Sequence, residues 1–98
     1  AFRCLGTEPF WDAKVEGGDL VLRSPDDQAG DRRPVQGVLD SGIFRDPSRV
    51  VVARDMTLFS HPQICSDGMS DRLFGLAATL VLHGEQPSLL SGCCTIQP

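Results

Sequence analysis

Four cysteines, Cys4, Cys65, Cys93 and Cys94, and two histidines, His61 and His83, have the widest range of chemistry in this chain. A cysteine can be a nucleophile, a metal ligand or half of a disulfide, and spacing separates these roles. A redox pair would need Cys-x-x-Cys, and a reactive thiolate would need a basic neighbourhood; neither occurs around these positions. Structural zinc would need two closely spaced cysteine knuckles to fill a tetrahedron, and only the adjacent Cys93 and Cys94 come near that pattern. An even cysteine count in a short chain is the usual mark of disulfides standing in for a small core, so the expectation is two bridges and an oxidising compartment.

Three pairings are open to four cysteines. Adjacent residues on a strand point to opposite faces, so Cys93 and Cys94 should seek different partners and avoid the strained vicinal ring. Cys65–Cys93 with Cys4–Cys94 is the favoured set, with Cys65–Cys94 and Cys4–Cys93 the alternative. In the chain-entropy picture, loops of these lengths contribute about 3.5 and 4.5 kcal/mol as upper values.

Other sets of reactive residues are weaker. A Ser70, His61 and Asp71 nucleophilic set is conceivable, but residues 68–72 read GMSDR and lack the G-x-S-x-G elbow, and His83 falls in a hairpin loop. Asp26 with Asp27, or Asp67 with Asp71, could share acid and base roles, but read more simply as solvated loop charges. Asp26, Asp27, Gln28 and Asp31 offer hard oxygens to calcium without the spacing of a calcium loop. Gly17-Gly18 leads into a strand with no Lys-Ser/Thr behind it, unlike a phosphate cradle. No catalytic residue, metal site or cofactor is expected.

The elements that must position these residues are strands. Residues 10–23 alternate, with Trp11, Ala13 and Val15 on one face and Asp12, Lys14 and Glu16 on the other, before a Gly17-Gly18 turn leads to Leu20 and Leu22. That pattern predicts a β-hairpin on a type I′ turn. Residues 24–33 (SPDDQAGDRR) read as an exposed loop, followed by a strand at 35–39. Residues 49–53 and 56–60 read as a second hairpin turning at Arg54-Asp55, and 61–72 as irregular chain. Residues 73–82 fit both helical and strand spacing; Gly75, Thr79 and Val81 decide for a strand, with a loop at 83–87 leading to a strand at 88–94. The expectation is an all-β single domain spanning residues 1–98: a small antiparallel meander barrel of six to eight strands, pinned by disulfides.

Composition narrows the partners. The 98 residues are 41% apolar, enough for one modest core. Thirteen acidic against nine basic side chains leave a net charge of −4, which argues against nucleic acid. No apolar run is long enough for a membrane-spanning helix and no signal-like segment opens the chain, so it reads as soluble and already trimmed, with a membrane reached only through a lipid anchor outside this sequence. A monomer is expected.

FRCLGTEPFW at residues 2–11, CSDGMSDR at 65–72 and SGCC at 91–94 together resemble an uncharacterised family of Gram-negative envelope proteins, many described as lipoproteins or membrane proteins. The resemblance covers most of the chain in order, although residues 24–60 match only as generic strands and turns. It implies export, a periplasmic or outer-membrane-associated location and a small β-barrel-like fold, and it brings no activity with it. Read as residues, the same blocks suggest that Gly6 and Pro9 bend the chain to aim Phe10 and Trp11 at the core. Glu8 then needs a partner, with Arg72 the natural choice and Asp67 or Asp71 completing a network. A ligand site could use Glu8, Trp11, Asp67 and Arg72, with Trp11 and Phe10 as a stacking surface, although a lone tryptophan in a small β domain usually anchors the core.

The function expected is non-enzymatic binding of a small ligand or an envelope protein or component, at the mouth or rim of the barrel. A secreted or periplasmic inhibitor of a hydrolase such as lysozyme is the alternative, suited by rigidity and negative charge. A structural envelope-stress protein with no ligand is a third reading, favoured if Trp11, Phe74 and the leucines fill the interior.

Overall fold

The computed structural model describes residues 2–7, 10–40, 48–66, 73–84 and 87–96. They form eight antiparallel strands: β1 (Phe2–Thr7), β2 (Phe10–Glu16), β3 (Asp19–Ser24), β4 (Asp27–Asp40), β5 (Arg49–Ala53), β6 (Met56–Ser66), β7 (Leu73–Leu82) and β8 (Ser88–Ile96). Each strand pairs with the next, and β8 pairs back onto β1, so the sheet closes into a meander barrel. Closure covers the outer edges of the first and last strands, which would otherwise invite pairing between molecules.

Two turns follow directly from residue type. Gly17 and Gly18 take φ of 60° and 84° between β2 and β3, the positive values a two-residue hairpin needs. Asp55, at φ 62°, does the same work in the Arg54-Asp55 turn, where aspartate is among the few side chains that tolerate the left-handed region. Residues 73–82 are strand β7, as Gly75, Thr79 and Val81 indicate.

Two segments differ from expectation. The stretch 24–33 is not a loop: β4 starts at Asp27, after a turn of only Pro25 and Asp26. Its charges are compatible with a strand because they pair across and along it. Arg33 donates to both Asp31 carboxylate oxygens, at 2.8 and 3.0 Å, and to Asp55 at 3.2 Å, while Arg32 donates to Asp19 at 3.3 Å. Asp31 and Arg33 sit opposite Leu22 and Leu20, on the inward register of the sheet. That register is open to water here, because β5 pairs with β4 only from Val35 onward. Likewise β6 runs through Pro62 to Ser66, and a register shift between Pro62 and Cys65 absorbs the proline that suggested irregular chain. The first strand, β1, was not anticipated from the pattern.

The interior is filled around the waist. Trp11, Ala13, Leu20, Val51, Ala53, Met56, Leu58, Ala78 and Leu80 form one buried cluster that also contains Cys4 and Cys94. The bridges are Cys4–Cys94 and Cys65–Cys93. Cys4 and Cys94 face each other across the β1/β8 seam inside the core, whereas Cys93, of the opposite parity, reaches from β8 to Cys65 on β6. Adjacent cysteines on one strand therefore take different partners for the reason the pleat gives.

Candidate functional site

Strand polarity gives the barrel two unlike ends. Thr7, Phe10, Ser24, Asp27, Leu82 and Ser88 mark one end, and the opposite end carries the first residues of β1 and the last of β8 together with the Gly17-Gly18 turn. A cavity of about 380 Å³ opens at the first end. An eight-stranded barrel has an interior just wide enough either to be filled by side chains or to hold one small ligand. This one is filled at its waist and open at this mouth.

The period-two pattern of each strand selects the lining. Trp11, Leu22, Leu82 and Leu90 come from the inward faces of β2, β3, β7 and β8 and make an apolar floor and wall. Phe10, Ser24, Pro25 and Asp26 form the rim. Phe10 lies one residue from Trp11 and so turns away from the core; it is 48% exposed, which corrects the expectation that both aromatic rings would be aimed inward. Pro25 fixes φ at the first position of the β3–β4 turn, and Asp26 stands exposed at its tip. Among the described residues, neither the Ser24 hydroxyl nor the Asp26 carboxylate has a protein partner.

Trp11 is held by its surroundings. It is 2% exposed, and its indole N–H donates to the Ser91 carbonyl at 3.2 Å. The ring lies against two glycines of the β1/β8 seam. A Cβ on Gly6 would collide with Trp11 Nε1 and lie 2.6 Å from the Ser91 oxygen, and one on Gly92 would collide with the Leu5 carbonyl and lie 2.9 Å from Trp11 Cζ2. Gly6 thus serves close approach of the indole. Trp11 is a core anchor whose edge contributes to the cavity.

Of the other residues singled out from sequence, Glu8, Asp67 and Arg72 lie outside the described residues, as do Ser70 and Asp71. The strand ends beside them are far apart in the topology: Thr7 and Phe10 are at the mouth, and Ser66 and Leu73 are at the opposite end. His61 stacks on Phe59 with ring centroids 5.4 Å apart and has Nε2 2.8 Å from Gln63 Oε1. His83 Nε2 lies 3.0 Å from Thr57 Oγ1. Of the four side chains Asp26, Asp27, Gln28 and Asp31 that could offer oxygens to calcium, Asp27 accepts from the Gly30 N–H at 3.1 Å and Asp31 is engaged by Arg33, so two are already occupied.

Several of the remaining charges are paired. Arg3 donates to both Asp12 oxygens, at 2.6 and 3.2 Å, and this bidentate bond raises its pKa above the ordinary arginine value. Hydrogen bonding to Asp31, and secondarily its charge, raises Arg33 in the same direction. Glu16 gathers Lys14, Arg23 and Arg32 at 3.6, 3.7 and 4.0 Å. The mouth residues missed in the sequence are Leu22, Leu82 and Leu90, together with Ser24 and Asp26 at the rim. Their alternation was visible, but not that four distant strands would converge.

Comparison with family models, curated proteins and solved structures gave no match.

Proposed function

We propose that this protein is an exported envelope domain that binds a small, largely apolar ligand in the mouth of its barrel, without chemistry on that ligand. The observation that carries the reading is the open mouth: a cavity of about 380 Å³, within the range of small-molecule sites, with an apolar floor and two unengaged polar groups at its rim. A structural barrel with no ligand would have side chains filling this space as they fill the waist. The two disulfides support export, since such bridges persist in oxidising compartments, and the resemblance to Gram-negative envelope proteins points to the periplasm or the outer membrane.

Titration with the neutral probe N-phenyl-1-naphthylamine tests this. Binding should enhance probe fluorescence and perturb emission from Trp11, the sole tryptophan. Leu22→Phe and Leu90→Phe should fill the mouth and abolish the enhancement while leaving the unfolding midpoint within a few degrees. Enhancement that survives both substitutions would place the probe elsewhere and end this reading.

The inhibitor reading keeps one specific support. Leu39, 62% exposed, adjoins Val50 and Phe59 across β4, β5 and β6 on the outer wall beside a hollow of about 270 Å³. An apolar patch on a closed barrel suits a protein partner. Salt-sensitive inhibition of lysozyme, lost in Leu39→Asp, is the outcome that would favour it.

A further inference from the structure

The charge at the mouth selects among amphiphiles. Small amphiphilic ligands fall into three chemical classes, with anionic, neutral or cationic heads, and the rim residues discriminate among them. The polar groups lining the cavity are the Ser24 hydroxyl and the Asp26 carboxylate, and no basic side chain is among the described lining residues. The guanidinium on the inward register of β4, Arg33, is committed to Asp31 and Asp55. Arg23, beside Ser24, lies on the outer wall, where it shares a hollow with Asp12, Phe10 and Pro25 and stands 3.7 Å from Glu16. An anionic head entering this mouth would meet the free Asp26 carboxylate, and among the described residues the guanidiniums that approach the rim, Arg23 and Arg33, already face carboxylates of their own. A cationic head would meet Asp26, the exposed face of Phe10 and a hydroxyl able to accept or yield to solvent. Carboxylate and aromatic surface together are the usual recognition set for organic ammonium groups. The net charge of −4 draws cations toward the molecule as well.

We infer that the mouth takes a cationic amphiphile: an apolar chain seated against Leu22, Leu82 and Leu90, with an ammonium head held at the rim by Asp26 and Phe10. The inference rests on the reading of the mouth as a binding site and deepens it by naming the ligand class. Leu82 and Leu90 on the far wall and Leu22 on the near wall leave room for a chain, while the buried Trp11 edge sets the floor. Specificity then resides in the Pro25-Asp26 turn and not in the barrel wall.

Three ten-carbon compounds that differ only in the head separate the possibilities: decyltrimethylammonium, decanol and decanoate, each below its micellar concentration. Each competes against N-phenyl-1-naphthylamine on the intact protein at low salt. The cation should displace the probe tightest, decanol next and decanoate weakest. Asp26→Asn should lower affinity for the cation by roughly fivefold to tenfold, leave decanol unchanged and narrow the gap to decanoate. Raising salt should compress the same ratio in the wild type and have little effect in Asp26→Asn. Decanoate binding as tightly as the cation, or a cation-to-decanol ratio that Asp26→Asn leaves intact, would overturn the inference while the mouth remained a binding site. Failure of all three compounds to displace a bound probe, or of the probe to bind, would remove the binding-site reading itself and this inference with it. Asp26 is exposed on a turn outside the core, so the Asn variant should fold, and an unchanged unfolding midpoint verifies that.

Discussion

Removing the Cys4–Cys94 bridge should be the most damaging single covalent change in this protein. The bridge spans 90 residues and joins the first strand to the last, at a seam held otherwise by a ladder of four residue pairs. In the chain-entropy picture a loop of that length contributes about 4.6 kcal/mol. The second bridge, spanning 28 residues, is nested inside the first; while intact it shortens the free outer loop to about 60 residues and lowers the figure to about 4.3 kcal/mol. The Cys65–Cys93 bridge alone contributes about 3.6 kcal/mol on the same scale. Both sulfurs of the outer bridge are in the core, with Cys4 at 0% and Cys94 at 1% exposure. Cys4→Ala with Cys94→Val refills most of their volume and isolates the cross-link. For a domain this size the entropy of unfolding is about 0.2 kcal/mol per degree, so the double variant should melt about 20 °C lower. Urea unfolding of both variants, with midpoint and slope compared, is the assay. A loss under about 1 kcal/mol, or a larger loss from Cys65→Ser with Cys93→Ser, would refute the claim that the seam depends on its covalent closure.

Other outcomes follow from the same structure. Gly92→Ala places a Cβ against the Leu5 carbonyl and the Trp11 ring, and should destabilise by about 2–3 kcal/mol; Gly6→Ala should do likewise and red-shift the emission of Trp11, whose burial in the wild type should give blue-shifted emission poorly quenched by acrylamide. Arg33→Met should cost no more than about 1 kcal/mol at low salt and less at high salt, because Arg33 and its partners are partly exposed. Since pairing raises the pKa of Arg3 and Arg33 in the folded state, their contribution is fully present below the ordinary arginine range and is lost only as pH rises through the still higher folded values. Chemical unfolding at pH 7 and pH 9 should therefore give the same contribution from Arg3, measured as wild type against Arg3→Met.

How far the fold could be read from residues depends on whether the controlling physics was local. The Gly17-Gly18 turn was legible because only glycine takes two positive φ angles without cost. The two bridges were legible because Cys93 and Cys94 must face opposite ways. Residues 24–33 misled because seven of the ten are Ser, Pro, Asp, Gly or Gln, all common in loops; that Arg33 would fold back on Asp31 and bridge to Asp55, keeping the strand extended, depends on a partner 22 residues away. The site was least legible. Its wall exists only when β2 and β3 meet β7 and β8 around a closed circuit, and no window of sequence contains both halves.

The β1/β8 seam also fixes how the molecule can be oriented. Phe2 pairs with Ile96, so both ends of the described chain leave the barrel side by side, at the pole opposite the mouth. Any attachment made there, whether a linker, a surface coupling or a neighbouring domain, would hold the barrel upright like a cup on its stem, with the Pro25-Asp26 lip facing away from whatever it stands on. The same adjacency makes the order of strands negotiable. A short joint between the two ends, with new ends opened at the Gly17-Gly18 turn, would leave every ladder except the β2–β3 turn unbroken and keep the rim intact.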